Sequence, residues 1–152
     1  MPKLLVFAPC EKVIISQDEN NPTLIAILSS LTLEGDGSAI AAALEATTSE
    51  TPALVPIRWA VFTLWAKEPT DGIREFTQTI DIESPAQNVI LTNRSTFAFK
   101  EGIDTHRLSL NLPGFPIRQR GIYILRLSID GAAIAEYPIE LKLTKPAPTP
   151  IQ

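Results

Sequence analysis

The chain has 152 residues, 45% of them hydrophobic and 20% charged, and a formal charge of −4. That length suits one core, and that apolar content sets the sequence apart from disordered chains, whose side chains cannot offset the entropy of folding. Lysine and arginine are scattered, so no basic stripe exists to gather phosphates and release counterions, which argues against nucleic acid as a partner.

At the N-terminus, Leu4 to Ala8 form an apolar run too short for the 7–15-residue core of a secretory signal, and Pro9, Cys10, Glu11 and Lys12 interrupt it. Pro9 also stands where a lipoprotein acceptor cysteine needs a small neighbour. No run approaches the ~18 apolar residues of a membrane span. With Cys10 as the single cysteine, an internal disulfide and a thiolate metal cluster are both excluded. The expectation is a cytoplasmic protein without membrane contact.

Strand signals dominate in chain order, as runs of β-branched and aromatic residues bounded by Asn, Asp, Gly and Pro. Leu4 to Ser16 and Thr23 to Leu33 are read as the arms of a long hairpin around Gln17–Pro22. The second arm carries Leu24, Ala26 and Leu28 on one side and Ile25, Ile27, Leu31 and Leu33 on the other, which predicts a central or doubly covered strand. From Gly35 to Pro56 the pattern dissolves into a long connection with at most one short helix, Ile40 to Ala46, capped by Ser38.

Ile57 to Lys67 resumes the strand pattern, with Trp59, Val61, Thr63 and Trp65 facing one way and Ala60, Phe62, Leu64 and Ala66 the other. Arg74 to Ile82 alternates Phe76, Gln78, Ile80 and Ile82 against Glu75, Thr77, Thr79 and Asp81, the mark of a strand with one wet face. Val89–Thr92, Thr96–Phe99 and Arg107–Leu112 are shorter candidates, followed by a loop at Pro113–Pro116. Ile122–Ile129 and Ala133–Leu143 form a hairpin through Asp130-Gly131, whose residues suit the positive φ of a tight type I′ turn. Pro138 cannot donate to a ladder and marks an edge or a bulge.

Together these elements predict an all-β, two-sheet antiparallel β-sandwich over residues 1–144, with seven to nine strands, and a Pro-rich tail over 145–152. Tyr123, two residues before the inward Leu125 and just after a loop, matches the tyrosine corner of immunoglobulin-like sandwiches; a tyrosine that merely fills a strand face is the competing reading.

The segments Leu5-Val6-Phe7-Ala8-Pro9-Cys10-Glu11-Lys12-Val13, Asn21–Leu28, Trp59–Trp65, Gly114-Phe115-Pro116 and Gly121–Leu127 resemble an uncharacterised bacterial family known only as a domain of unknown function. The resemblance implies an intact bacterial domain and transfers no catalytic residues.

Catalysis finds little support in the residues. A thiol enzyme would have to bring Cys10 to His106, the single histidine, with Asp104 as an orienting group, an arrangement any chain with one Cys and one His allows. Metal binding would rest on carboxylates, and neither Asp18-Glu19-Asn20 nor Glu34-Gly35-Asp36 has the stepped spacing of a calcium loop. No phosphate loop or Gly-x-Ser-x-Gly motif occurs, so no cofactor is expected.

Binding is the better expectation. Trp59, Trp65 and Phe62, with Arg118 and Arg120 in one loop, are the candidate contact surface; core packing for the aromatics and a solvated turn for the arginines are the plainer alternatives. A surplus of apolar faces on the second and third runs calls for a covering element, either the 35–56 connection or another protein chain. The chain is therefore expected to be a protein-interaction module or self-associating subunit. The other class is a small-ligand or carbohydrate binder whose exposed aromatics and 35–56 loop form a cleft; it needs exposed tryptophans where an interaction module allows buried ones.

Overall fold

The computed structural model describes residues 1–15, 21–34 and 53–144. Eleven strands run through them: β1 (Lys3–Ile15), β2 (Pro22–Ile27), β3 (Ser30–Glu34), β4 (Ala53–Val55), β5 (Trp59–Ala66), β6 (Glu75–Glu83), β7 (Val89–Ala98), β8 (Thr105–Leu112), β9 (Phe115–Ile117), β10 (Gly121–Ile129) and β11 (Ala132–Thr144). One sheet has the order β2-β1-β5-β8, a second has β3-β11-β10-β6-β7, and β4 pairs with β9 alone. The expected sandwich is present, with more strands than the seven to nine predicted. The extra ones are the short β4, within the expected 35–56 connection, and β9, which overlaps the loop expected at Pro113–Pro116. The candidate helix at 40–46 and the Pro-rich tail lie outside the described residues.

The two large sheets face each other through alternating side chains. Trp59, Val61 and Trp65 of β5 meet Phe76, Ile80 and Ile82 of β6 and Tyr123, Leu125, Leu127 and Ile129 of β10, all buried. Within this layer Gln78 Oε1 accepts hydrogen bonds from Thr63 Oγ1 and from Trp65 Nε1, each at 2.8 Å. One amide oxygen thus ties β5 in the first sheet to β6 in the second, and satisfies two donors that burial would otherwise strand.

The second predicted run is not a central strand. It breaks into β2 and β3, which occupy edges of different sheets. The crossing is at two neighbouring residues: Leu28 N donates to Pro9 O of β1, while Ser29 O accepts from Glu140 N of β11. Because the chain leaves one sheet and continues in the next without reversing, β3 lies parallel to β11, the one parallel pairing among the described strands. The predicted pair of short strands at 89–92 and 96–99 is one continuous strand, β7, against β6.

Pro138 sits where its missing donor costs nothing. It is opposite Ile124 of β10, and the pairing of β11 with β3 begins only at Glu140. The β10–β11 hairpin turns on Asp130 and Gly131 at φ 48° and 83°, the two positive values a type I′ turn requires. Its tip is fastened to β6: Asp130 N donates to Thr77 O, Thr77 N donates to Asp130 Oδ1, and Arg74 reaches Asp130 Oδ2 at 2.8 Å.

Asp71 is the other anchored carboxylate. It is buried, accepts from Glu68 N at 2.7 Å and pairs with the Met1 ammonium at 2.7 Å. Burial pushes its pKa up, but the ammonium and the Glu68 N–H outweigh that and hold it below the ordinary carboxylate value. Asp130 is held low by Thr77 N–H and by Arg74. A depressed folded pKa gives stability that is complete above the unfolded value of about 3.9 and is lost as pH falls through the folded one. The urea midpoint is therefore expected to fall as pH is lowered from about 4.5 to about 2.5, and Asp71→Asn is expected to flatten that fall.

Candidate interaction surface

Three of the five residues expected at a contact surface are in the interior. Trp59, Trp65 and Phe62 are 2%, 0% and 2% exposed. In β5, central in its sheet between β1 and β8, the tryptophans face the second sheet and pack in the core, and Phe62 is buried on the opposite face. Trp59 donates its indole N–H to Gly114 O at 2.8 Å and packs on Phe115, 5.2 Å between ring centroids. Trp65 stacks on Phe97 at 6.1 Å. The two arginines do lie outside, Arg118 half-buried and Arg120 exposed, in the loop between β9 and β10.

That loop is shaped by the tyrosine corner. Tyr123 is fully buried, its hydroxyl accepts from Arg118 N at 2.9 Å and Gln119 N at 3.1 Å, and it donates to Gln119 O. The feature expected of an immunoglobulin-like sandwich is thus present, and it orients the arginine loop by its backbone.

Cys10 and His106 do not meet. Cys10 is opposite Ala60 of β5 and His106 opposite Trp65. Five residues along a strand is about 17 Å, and the odd offset puts the two on opposite faces of the sheet. His106 stacks on Phe97 with centroids 4.8 Å apart; burial first, and then the charge of Lys100, lower its pKa. Burial raises the pKa of the Cys10 thiol. This geometry supplies neither a thiolate nor a base beside it. Among the described residues there is also no group of three metal-ligating side chains.

The outer faces of the two large sheets differ in chemistry. The five-stranded sheet presents a charged ladder across its strands: Arg126 of β10 is opposite Asp81 of β6 and Glu136 of β11, is bonded to Glu136, and reaches Glu83 at 2.7 Å. Thr92 of β7 extends the row by donating to Asp81 at 2.6 Å. Such a face is at home in water.

The four-stranded sheet is apolar outside as well as inside. At its centre the register partners Ala8 and Phe62, and Cys10 and Ala60, are all buried. Toward the β1–β2 end the apolar surface emerges into solvent: Ile14, Ile25 and Ile27 are 42%, 39% and 56% exposed. Ile25 is opposite Lys12 and Ile27 opposite Cys10, so Ile25 is the diagonal neighbour of Ile14 and next along the same face from Ile27. The sequence pattern did show that the second run is apolar on both sides. What it concealed is that the outer side of β2 is left in solvent.

Beside this patch lies a cleft of ≈ 640 Å³, where the end of β8 and the start of β5 face the far half of β1. Val13, Trp59, Leu112 and Pro113 form its apolar lining, with Lys12, Arg58, Glu11 and Asn111 as its polar groups. Lys12 and Arg58 take no part in any ion pair of the described residues.

No helix of the described residues is long and apolar enough to cross a membrane. No curated protein matches the sequence. Among solved structures, an immunoglobulin-like protein from Pseudomonas aeruginosa is similar with a TM-score of 0.39 at 9% identity, covering 93% of this chain and 97% of that one. A model of a family of unknown function, DUF6941, matches residues 40–142, which takes in β4 to β10 and most of β11. With more than half of its length matched, the chain belongs to DUF6941, a family of unknown function.

Proposed function

We propose that this domain is a non-catalytic interaction module that docks on another protein chain through the outer face of β1 and β2. The observation that carries the reading is the run of exposed isoleucines, Ile14, Ile25 and Ile27, in a sandwich whose other sheet carries a charged ladder on its outer face. Contiguous exposed aliphatics beside cations are the ordinary makings of a protein contact, whereas scattered single ones need no explanation. The carbohydrate-binding alternative is the weaker one, because the tryptophans it would stack sugars on are buried. A cytoplasmic setting accords with a single thiol, Cys10, that is free and buried. Self-association through the same isoleucines is the second form of the reading.

The test is purification of the tagged chain from its native cells beside an Ile25→Asp/Ile27→Asp variant, with light scattering on both. The expected result is a stoichiometric partner, or a multiple of the 16.6 kDa monomer, with wild type and its loss with the variant. Equal retention by both would remove the isoleucine face from the interaction.

A further inference from the structure

β1 is longer than the strand it pairs with. Its 13 residues run to Ile15, but its ladder with β5 stops at Cys10–Ala60, and from Lys12 to Ile15 its register among the described strands is with β2 alone. The cause is in β5, which starts at Trp59; the preceding chain, Pro56 to Arg58, leads from β4, which pairs elsewhere. The lane beside Glu11–Ile15 is therefore the one that β5 has left. A strand bordered on one side only presents unpaired N–H and C=O groups to whatever occupies the next lane.

That vacated lane coincides with the cleft, and its side chains are sorted by face. Val13, Trp59 and Leu112 belong to the inward face, since Trp59 is opposite Leu112 and both pack with the core. Lys12 and Arg58 belong to the outward face, Lys12 standing two residues from the outward Cys10 and Arg58 one residue from the inward Trp59. Glu11, two residues from Val13, stands on the inward face as well and is the one carboxylate of the cleft. The lane thus offers backbone hydrogen bonds, an inner wall that is apolar except for Glu11, and two cations on the outer side that have no partner in the described ion pairs.

We propose that this lane is a strand-addition site for an acidic extended peptide. A peptide paired along Glu11–Ile15 alternates its side chains, so apolar residues enter against Val13 and Leu112 while intervening carboxylates meet Lys12 and Arg58. Main-chain bonding supplies affinity and the alternation supplies specificity, as in other strand additions. Placed next to the isoleucine patch, the site extends the interaction reading, on which it rests, to the class of segment recognised: one alternating apolar and acidic residues.

The experiment titrates the isotopically labelled full chain with an N-acetylated, C-amidated heptapeptide of alternating valine and glutamate, followed by NMR. Shifts confined to Glu11–Ile15, Arg58 and Leu112 are expected. Lys12→Glu/Arg58→Glu is expected to weaken the peptide by roughly tenfold, the sum of two exposed charge pairs, and to admit the valine–lysine heptapeptide instead. Both side chains are exposed, so an unchanged melting temperature confirms the fold of the variant. Absence of shifts in that lane, or equal affinity of the variant, overturns the proposal. If the double variant still retains the partner that Ile25→Asp/Ile27→Asp loses, the strand site falls and the interaction module stands; if wild type retains nothing and forms no oligomer, the module itself falls.

Discussion

Gln78→Leu is expected to lower the unfolding free energy by about 3 kcal/mol, because it removes one acceptor and strands two buried donors. Thr63 Oγ1 and Trp65 Nε1 both point at Gln78 Oε1, and neither Thr63 nor Trp65 is exposed to water that could replace it. Leucine fills the volume, so the loss isolates the hydrogen bonds from any cavity. A companion change makes the cause visible: Thr63→Val in the Gln78→Leu background is expected to recover about 1 kcal/mol, since removing both partners of a buried bond is cheaper than removing one. Chemical denaturation of the single and double variants measures both quantities. Additive losses would place the cost in packing.

Tyr123→Phe is expected to cost about 2 kcal/mol, again by hydrogen bonds alone. The ring stays, with its edge contact to Phe115 at 5.3 Å, and only the hydroxyl goes. Its loss leaves the amides of Arg118 and Gln119 without their acceptor and Gln119 O without its donor. Since those three groups sit in the β9–β10 loop, hydrogen exchange at residues 118 and 119 should accelerate more than exchange in the β10–β11 ladder. Uniform acceleration would mean that the corner supports the whole sandwich and does not act locally.

Both effects arise at residues whose places are legible in the sequence. The alternation Phe76, Gln78, Ile80, Ile82 puts an amide in an apolar row, and its partners Thr63 and Trp65 share one face of the preceding run. The pairing between them is not legible there, because it links two sheets, and strand spacing along a chain carries no information on which strands oppose each other across a core. Tyr123 is legible for a different reason: a corner is local, five residues from loop to ring, so its geometry is set by neighbours in the sequence.

The candidate surface shows the same divide. Trp59, Trp65 and Phe62 have the composition of a contact patch and the positions of a core, and only β5's central place decides between these. Cys10 and His106 are compatible with a thiol pair in the sequence, and the register sets them on opposite faces. In the other direction, Ile25 and Ile27 look like half of a doubly covered strand. They are exposed on the outer face of β2, an edge strand that ends where the chain switches sheets at Leu28–Ser29, and nothing in two adjacent residues announces such a crossing.

By itself, then, the sequence determined what depends on short-range periodicity and turn stereochemistry: an all-β chain, the alternating faces of β5 and β6, and the Asp130-Gly131 hairpin, with the tyrosine corner as one of two readings of Tyr123. The tertiary structure decided what depends on which strands become neighbours: the parallel β3, the burial of the tryptophans, the separation of Cys10 from His106, and the open lane beside Glu11–Ile15. The physical reason is that a strand's side-chain pattern fixes which of its faces are apolar, whereas its exposure depends on the strands and layers packed around it, and those come from elsewhere in the chain.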